Sequence, residues 1–160
     1  MKNVRRMTAA VVLLTASLMT ALTGCGVSIP ADPDGTLATV SGGTLRIGVS
    51  AEPGLIDTSG GEPTGSLIDL ASGFARSIDA RPRWSTASEE TLVSMLEDGE
   101  LDLAIGGFSE DTPWVDRAGV TRGYTGIDGA DGRSIVLLTP LGENAFLSAL
   151  EEYLDEEVGS

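Results

Sequence analysis

Between residues 44 and 158 the spacing of apolar positions switches repeatedly between a period of two and one near 3.6. Leu45, Ile47 and Val49 alternate with other residues in Thr44–Val49, which predicts a strand. Leu67, Leu70, Ala71, Phe74 and Ile78 then recur at helical spacing and predict a helix over 66–79. A short strand is expected at 81–85. The next helix opens near Ser88, an N-cap residue, with Glu89 and Glu90 at the end a helix dipole favours for anions. Leu92, Val93, Met95 and Leu96 form its apolar stripe, and Gly99 stops it. Residues 101–105 read as a third strand, followed directly by Gly106-Gly107. The run 135–138 is continuously apolar, as in a strand buried on both faces. Phe146, Leu147, Leu150 and Leu154 lie on one face of a last helix over 144–157, whose C-terminal half is crowded with acids and whose last turn is expected to fray.

Strands that alternate with helices in this order predict an α/β fold with a mostly parallel sheet flanked by helices. Ligands of such sheets bind beyond the carboxyl ends of the strands. Those ends fall here at 50–55, 85–87 and 106–109.

The stretch before residue 44 has a different character. Lys2, Arg5 and Arg6 form a basic tip, and residues 9–22 are uncharged and too short to span a bilayer comfortably. Leu22-Thr23-Gly24-Cys25 closes that run with the only cysteine of the chain. The arrangement resembles the lipobox of bacterial lipoproteins. That resemblance implies a signal peptide over 1–24, cleavage before Cys25, and Cys25 as the lipidation site that anchors the protein on the extracytoplasmic face of the cell membrane. The other reading is an ordinary signal peptide or membrane anchor with an incidental cysteine. Residues 25–43, rich in Pro, Asp, Gly, Ser and Thr, read as a flexible tether. One small domain is then expected over 44–158.

Composition narrows the chemistry. There is no histidine, so Ser-His-Asp and Cys-His arrangements are excluded within this chain, and a single cysteine allows no intrachain disulfide. Without the leader, seven basic residues face all 24 acidic ones. Such a balance disfavours nucleic acid as a partner. Asp128 and Asp131 faintly resemble a calcium loop but lack the alternating oxygens and distal Glu, so no metal is expected, nor any cofactor.

The ordered set Gly48-Val49, Gly65 to Ala71, Gly99 to Ala104, Thr112-Pro113 and Tyr124 resembles the family 3 extracellular solute-binding proteins, the amino-acid type that serves ABC importers. The likeness spans 44–124. It implies a periplasmic-binding-protein-like type II fold, normally two lobes closing on a ligand. Here only 125–132 separates Tyr124 from a segment, beginning at Arg133, that resembles the returning strand and helix of the first lobe. The second lobe is thus expected to be absent and replaced by that short link.

What the resemblance implies for the site is a small polar solute held by Glu52, Gly107, Phe108, Ser109, Thr112, Trp114 and Arg117. The family's stacking aromatic after the first strand is missing from 52–55. Its carboxylate-clamping arginine is replaced at the matching place by Trp114-Val115, with Arg117 out of step. Phe108 and Trp114 either offer a different apolar or stacking platform or serve as core or rim packing. The functional expectation is binding, not catalysis: a lipid-anchored, transport-associated protein partnered by an ABC permease or by a protein that supplies a second lobe. The alternative is an interaction or sensor module at the cell envelope that has lost ligand binding.

Overall fold

A computed structural model describes residues 32–159. In chain order its elements are α1 (Thr36–Val40), β1 (Thr44–Val49), α2 (Ser66–Ser77), β2 (Arg81–Thr86), α3 (Glu89–Glu97), β3 (Leu103–Ile105), β4 (Gly119–Val120), β5 (Leu138–Thr139) and α4 (Asn144–Glu157). The five strands form one sheet in the order β2-β1-β3-β5-β4.

β1 is the centre of the sheet and pairs in parallel with β2 and β3. Leu45, Ile47 and Val49 enter the larger of two apolar clusters, with Leu67, Ala71 and Phe74 of α2 and Phe146, Leu150 and Leu154 of α4. Phe74 and Phe146 meet edge to face, ring centroids 5.6 Å apart. The opposite face of β1 carries Gly48. An added Cβ there would lie 2.4 Å from Leu101 and 2.6 Å from Leu92, so the missing side chain lets the α3 layer sit directly on the strand. Leu92, Val93 and Leu96 of α3 form the second cluster with Ala104, Phe108, Val136 and Leu138.

The sheet is mixed: the pairing of β1 with β2 and β3 is parallel, as expected, and the pairing of β5 is antiparallel. Residues 135–138 are buried as expected, but β5 runs antiparallel to both β3 and β4. The cause is the connection: from β4 the chain turns back through a short link, and Tyr124 bridges Ile135 in an antiparallel pair. A turn that short reverses direction, whereas a parallel return needs a long crossover.

Two further expectations change. The tether over 25–43 does not extend through its described part, because residues 32–43 are folded onto the domain. The buried Glu143 carboxylate accepts from the backbone N–H of Asp34 at 2.9 Å and of Thr36 at 2.8 Å. Thr36 and Val40 are buried, so α1 belongs to the domain. The last turn of α4 also stays helical to Glu157, where fraying was expected. Arg122 pairs with Glu151 and Asp155, and the Tyr124 hydroxyl reaches Glu151 O and Asp155, so a cation offsets the crowded acids. The signal peptide 1–24, Cys25 and tether residues 25–31 lie outside the described residues. Among those described, no helix is long and apolar enough to cross a membrane.

Candidate functional site

The parallel part of the sheet ends in a rim made by three segments. The first is the loop from Ser50 to Gly65, folded back on itself by bridges between Glu52 and Ile56 and between Asp57 and Thr64. The second is the turn after β3, where Ser50 N–H donates to Ile105 O at 3.0 Å and ties the two strand ends together. The third is the start of α3, capped by the Ser88 hydroxyl, which accepts from Thr91 N–H. An open groove of about 610 Å³ runs along 51–59 and Thr64-Gly65.

Glu52 and Gly107 meet on this rim. A Cβ at Gly107 would lie 2.4 Å from Glu52 Oε2, so the glycine leaves the room in which the carboxylate sits. Glu89 is near enough to feel that charge: burial first, then Glu52, pushes its carboxyl above the ordinary range. The other oxygen of Glu52 accepts from the Arg133 guanidinium, whose Nε donates to Ala130 O at 3.0 Å. Arg133 comes from the link between Tyr124 and Ile135, so that link lies across the rim. Its Gly129 packs on Gly54: a Cβ on Gly129 would fall 2.1 Å from Gly54 O. The Ser66 hydroxyl donates to Asp128 O at 2.6 Å from the start of α2.

The remaining expected site residues divide. Ser109 is exposed, bridges Ile135 and stays with the rim. Phe108 does not offer a platform: it is 2% exposed inside the second cluster, and its carbonyl accepts from Val136 N–H. Thr112 is buried, and its hydroxyl has no hydrogen-bond partner among the described residues. Trp114 is half-buried against the second cluster, with the Arg117 guanidinium 5.5 Å from its ring centroid. Arg117 is placed away from the rim. Its Nε donates to Glu97 Oε1 at 2.9 Å, and Nη2 reaches Ser94, both on α3. Arg117 and Glu97 line a groove at the amino end of the sheet with Asp34, Arg46, Asp102 and Leu141. Helix α3 runs opposite to the strands, so a residue on its last turn sits far from strand carboxyl ends. The reading of Arg117 as a ligand contact on the rim is corrected for that reason, while Trp114 packs on the second cluster.

Sequence reasoning missed Arg133 and Glu89 at the rim. Arg133 lies 81 positions from Glu52, and no local pattern couples them. Glu89 was legible only as a helix-start acid. No group of three or more His, Cys, Asp or Glu among the described residues has a metal-holding arrangement.

One α/β domain with helices on both faces of a mixed sheet and a rim at the carboxyl ends of its parallel strands has a periplasmic-binding-protein-like fold. Solved structures with this fold include the arginine-bound form of domain 1 from TmArgBP. Its alignment gives 20% identity and a TM-score of 0.61 over 72% of this chain and 93% of that one. A point mutant of the same domain gives 21% identity and a TM-score of 0.64 over 75% and 96%. An amino acid ABC transporter substrate-binding protein from Streptococcus pneumoniae bound to L-arginine gives 11% identity and 0.63 over 78% and 93%. These neighbours are binding proteins, and at such identities they establish the fold. No protein-family model and no curated protein matches the sequence.

Proposed function

We propose that this protein is a lipid-anchored, single-lobe solute-binding protein that works with an ABC-type importer and holds a small polar solute at the rim. Its binding is weak, or a partner completes it. The observation that carries this reading is the link. It joins β4 to β5 within one α/β domain, and the resemblance to the family implies that a second lobe would be inserted there. The likeness to the arginine-bound form of domain 1 from TmArgBP supports one-lobe binding.

The magnitude follows from division. A two-lobed receptor of micromolar affinity has about −8 kcal/mol, and half of that leaves about −4 kcal/mol, or millimolar. One lobe also leaves most of a ligand uncovered, where small-molecule sites usually bury it. A partner that supplies the other wall restores the missing contacts, and a permease or a second-lobe protein fits that need. The interaction-module alternative is favoured by the loss of the family's stacking aromatic and carboxylate clamp.

Two measurements test the proposal. Cys25→Ser is expected to move the protein from membranes to the soluble fraction or to stall its processing; unchanged retention with a cleaved leader rejects the anchor. A panel of amino acids and other small metabolites, followed by amide chemical shifts, is expected to perturb 50–56 and 106–109 at millimolar concentration. Silence across the panel, together with recovery of a non-transport partner from detergent-solubilised membranes, replaces the solute-binding reading with the interaction module.

A further inference from the structure

We infer that Arg133 is a tethered occupant of the rim: its guanidinium holds the place on Glu52 that a free organic cation, a guanidinium or primary ammonium compound, takes when the 125–134 link swings away. The inference rests on the rim reading above and adds to it both a ligand class and a device that regulates access.

The link is built to deliver that one side chain. Three contacts fasten it to the loop after β1 and the start of α2. They are the close approach of the Gly54 and Gly129 backbones, the Ser66 hydroxyl on Asp128 O, and the pair between Arg133 and Glu52. Gly129 and Gly54 hold φ values of +81° and +84°, a region glycine enters without strain. Asp131 and Gly132 follow at φ +53° and +78°, which turns the chain back toward the rim immediately before Arg133. The guanidinium is then oriented twice, by Ala130 O on Nε and by Glu52 on the terminal nitrogen. A guanidinium fork matches a carboxylate whether it arrives on a tether or in solution. Glu52 also keeps its second oxygen above Gly107, beside the acidic start of α3. That half of the carboxylate fills the space left by the missing side chain, which fixes the carboxylate on the rim.

The pair is displaceable because it is not sealed. The Arg133 and Glu52 side chains are 43% and 24% exposed, so solvent competes for both. An exposed pair of this kind is worth little by itself. Its effect on a competitor is nevertheless direct: a rim closed most of the time lowers apparent affinity by the fraction that is open, about fivefold for a contact of this class.

The test uses the full-length chain in detergent, with methylguanidine and L-arginine as probes. Hydrogen exchange is read over 50–58, 125–134 and α4 in wild type, Arg133→Gln and Arg133→Lys. Arg133→Gln is expected to exchange about fivefold faster in the first two segments with α4 unchanged, while Arg133→Lys stays near wild type. The same Arg133→Gln protein is expected to bind both probes about fivefold tighter than wild type, and Glu52→Gln is expected to bind neither. Equal probe affinity in wild type and Arg133→Gln overturns the inference, as does faster exchange without any gain in cation binding. If a neutral or anionic metabolite shifts rim amides equally in all variants, the inference fails while the solute-binding proposal stands. If cations bind tighter to Arg133→Gln but no rim solute acts in transport assays with a permease, the occupant is confirmed and the transport reading fails.

Discussion

Two glycine- and aspartate-rich stretches, 32–43 and 125–134, read alike as connectors, yet the fold treats them differently. Each is pinned by a glutamate far away in sequence. Glu143 is 2% exposed and takes the backbone N–H groups of Asp34 and Thr36. Glu52 is partly open to solvent and takes the side chain of Arg133. The first carboxylate satisfies helix-start donors that would otherwise be buried without partners, so losing it leaves a penalty. The second satisfies a group that water serves almost as well. Burial of the acceptor, and not the composition of the connector, separates a structural clasp from a latch.

The comparison breaks most visibly at Glu143. Glu143→Ala is expected to cost about 2–4 kcal/mol, because two part-buried or buried donors lose a charged acceptor. Denaturant melts should show it, along with faster hydrogen exchange over 34–41. A loss within experimental error would mean that water replaces the carboxylate and that both connectors are latches.

Gly129→Ala comes next, at about 1–3 kcal/mol, since an L-residue at that φ is strained and its Cβ falls on Gly54 O. The link is therefore held more by backbone fit than by its ion pair. A thermal melt unchanged from wild type would show that the link already moves freely.

Acid sharpens the contrast further. Burial pushes the Glu143 carboxyl up, but the N–H groups of Asp34 and Thr36 with the Thr36 and Asp32 side chains outweigh it and hold it below its ordinary value of 4.5. Its stabilisation is full above that value and is lost as pH falls through the depressed one. Asp32 goes the other way: burial, then the hydrogen bond and charge of Glu143, raises it above its ordinary 3.8. Its share is full below that value and is lost as pH rises through the raised one. Wild type is expected to lose its advantage over Glu143→Gln as pH falls below about 4.5. Asp32→Asn is expected to melt no lower than wild type at pH 7. A parallel pH profile for wild type and Glu143→Gln would remove Glu143 as the titrating clasp.

The smallest effect is expected at the latch. Arg133→Gln should change stability by less than about 1 kcal/mol, the scale of exposed ion pairs. A loss of the size expected for Glu143→Ala would promote Arg133 to a structural residue and remove the contrast between the two stretches.

The sequence by itself determined the layered α/β class, the limits of most helices and which side of each faces the core. Those properties come from spacing within 10 to 15 residues, where a period of two or 3.6 is read directly. Helix α4 spans the expected 144–157, and the residues of its apolar face named from spacing include Phe146, Leu150 and Leu154, all buried. Glu52, Gly107 and Ser109 were reachable too, because strand carboxyl ends follow from the order of elements. Tertiary structure alone decided the rest. The direction of β5 depends on how the link turns. The burial of Phe108 depends on a cluster assembled from α3, β3 and β5. Arg117 went to α3 because Glu97 and Trp114 are closer partners there than anything on the rim. Arg133 met Glu52, and Glu143 met Asp34, across 81 and 109 positions. Electrostatic and hydrogen-bond partners at that separation leave no periodic trace, since only the folded path of the backbone brings them together.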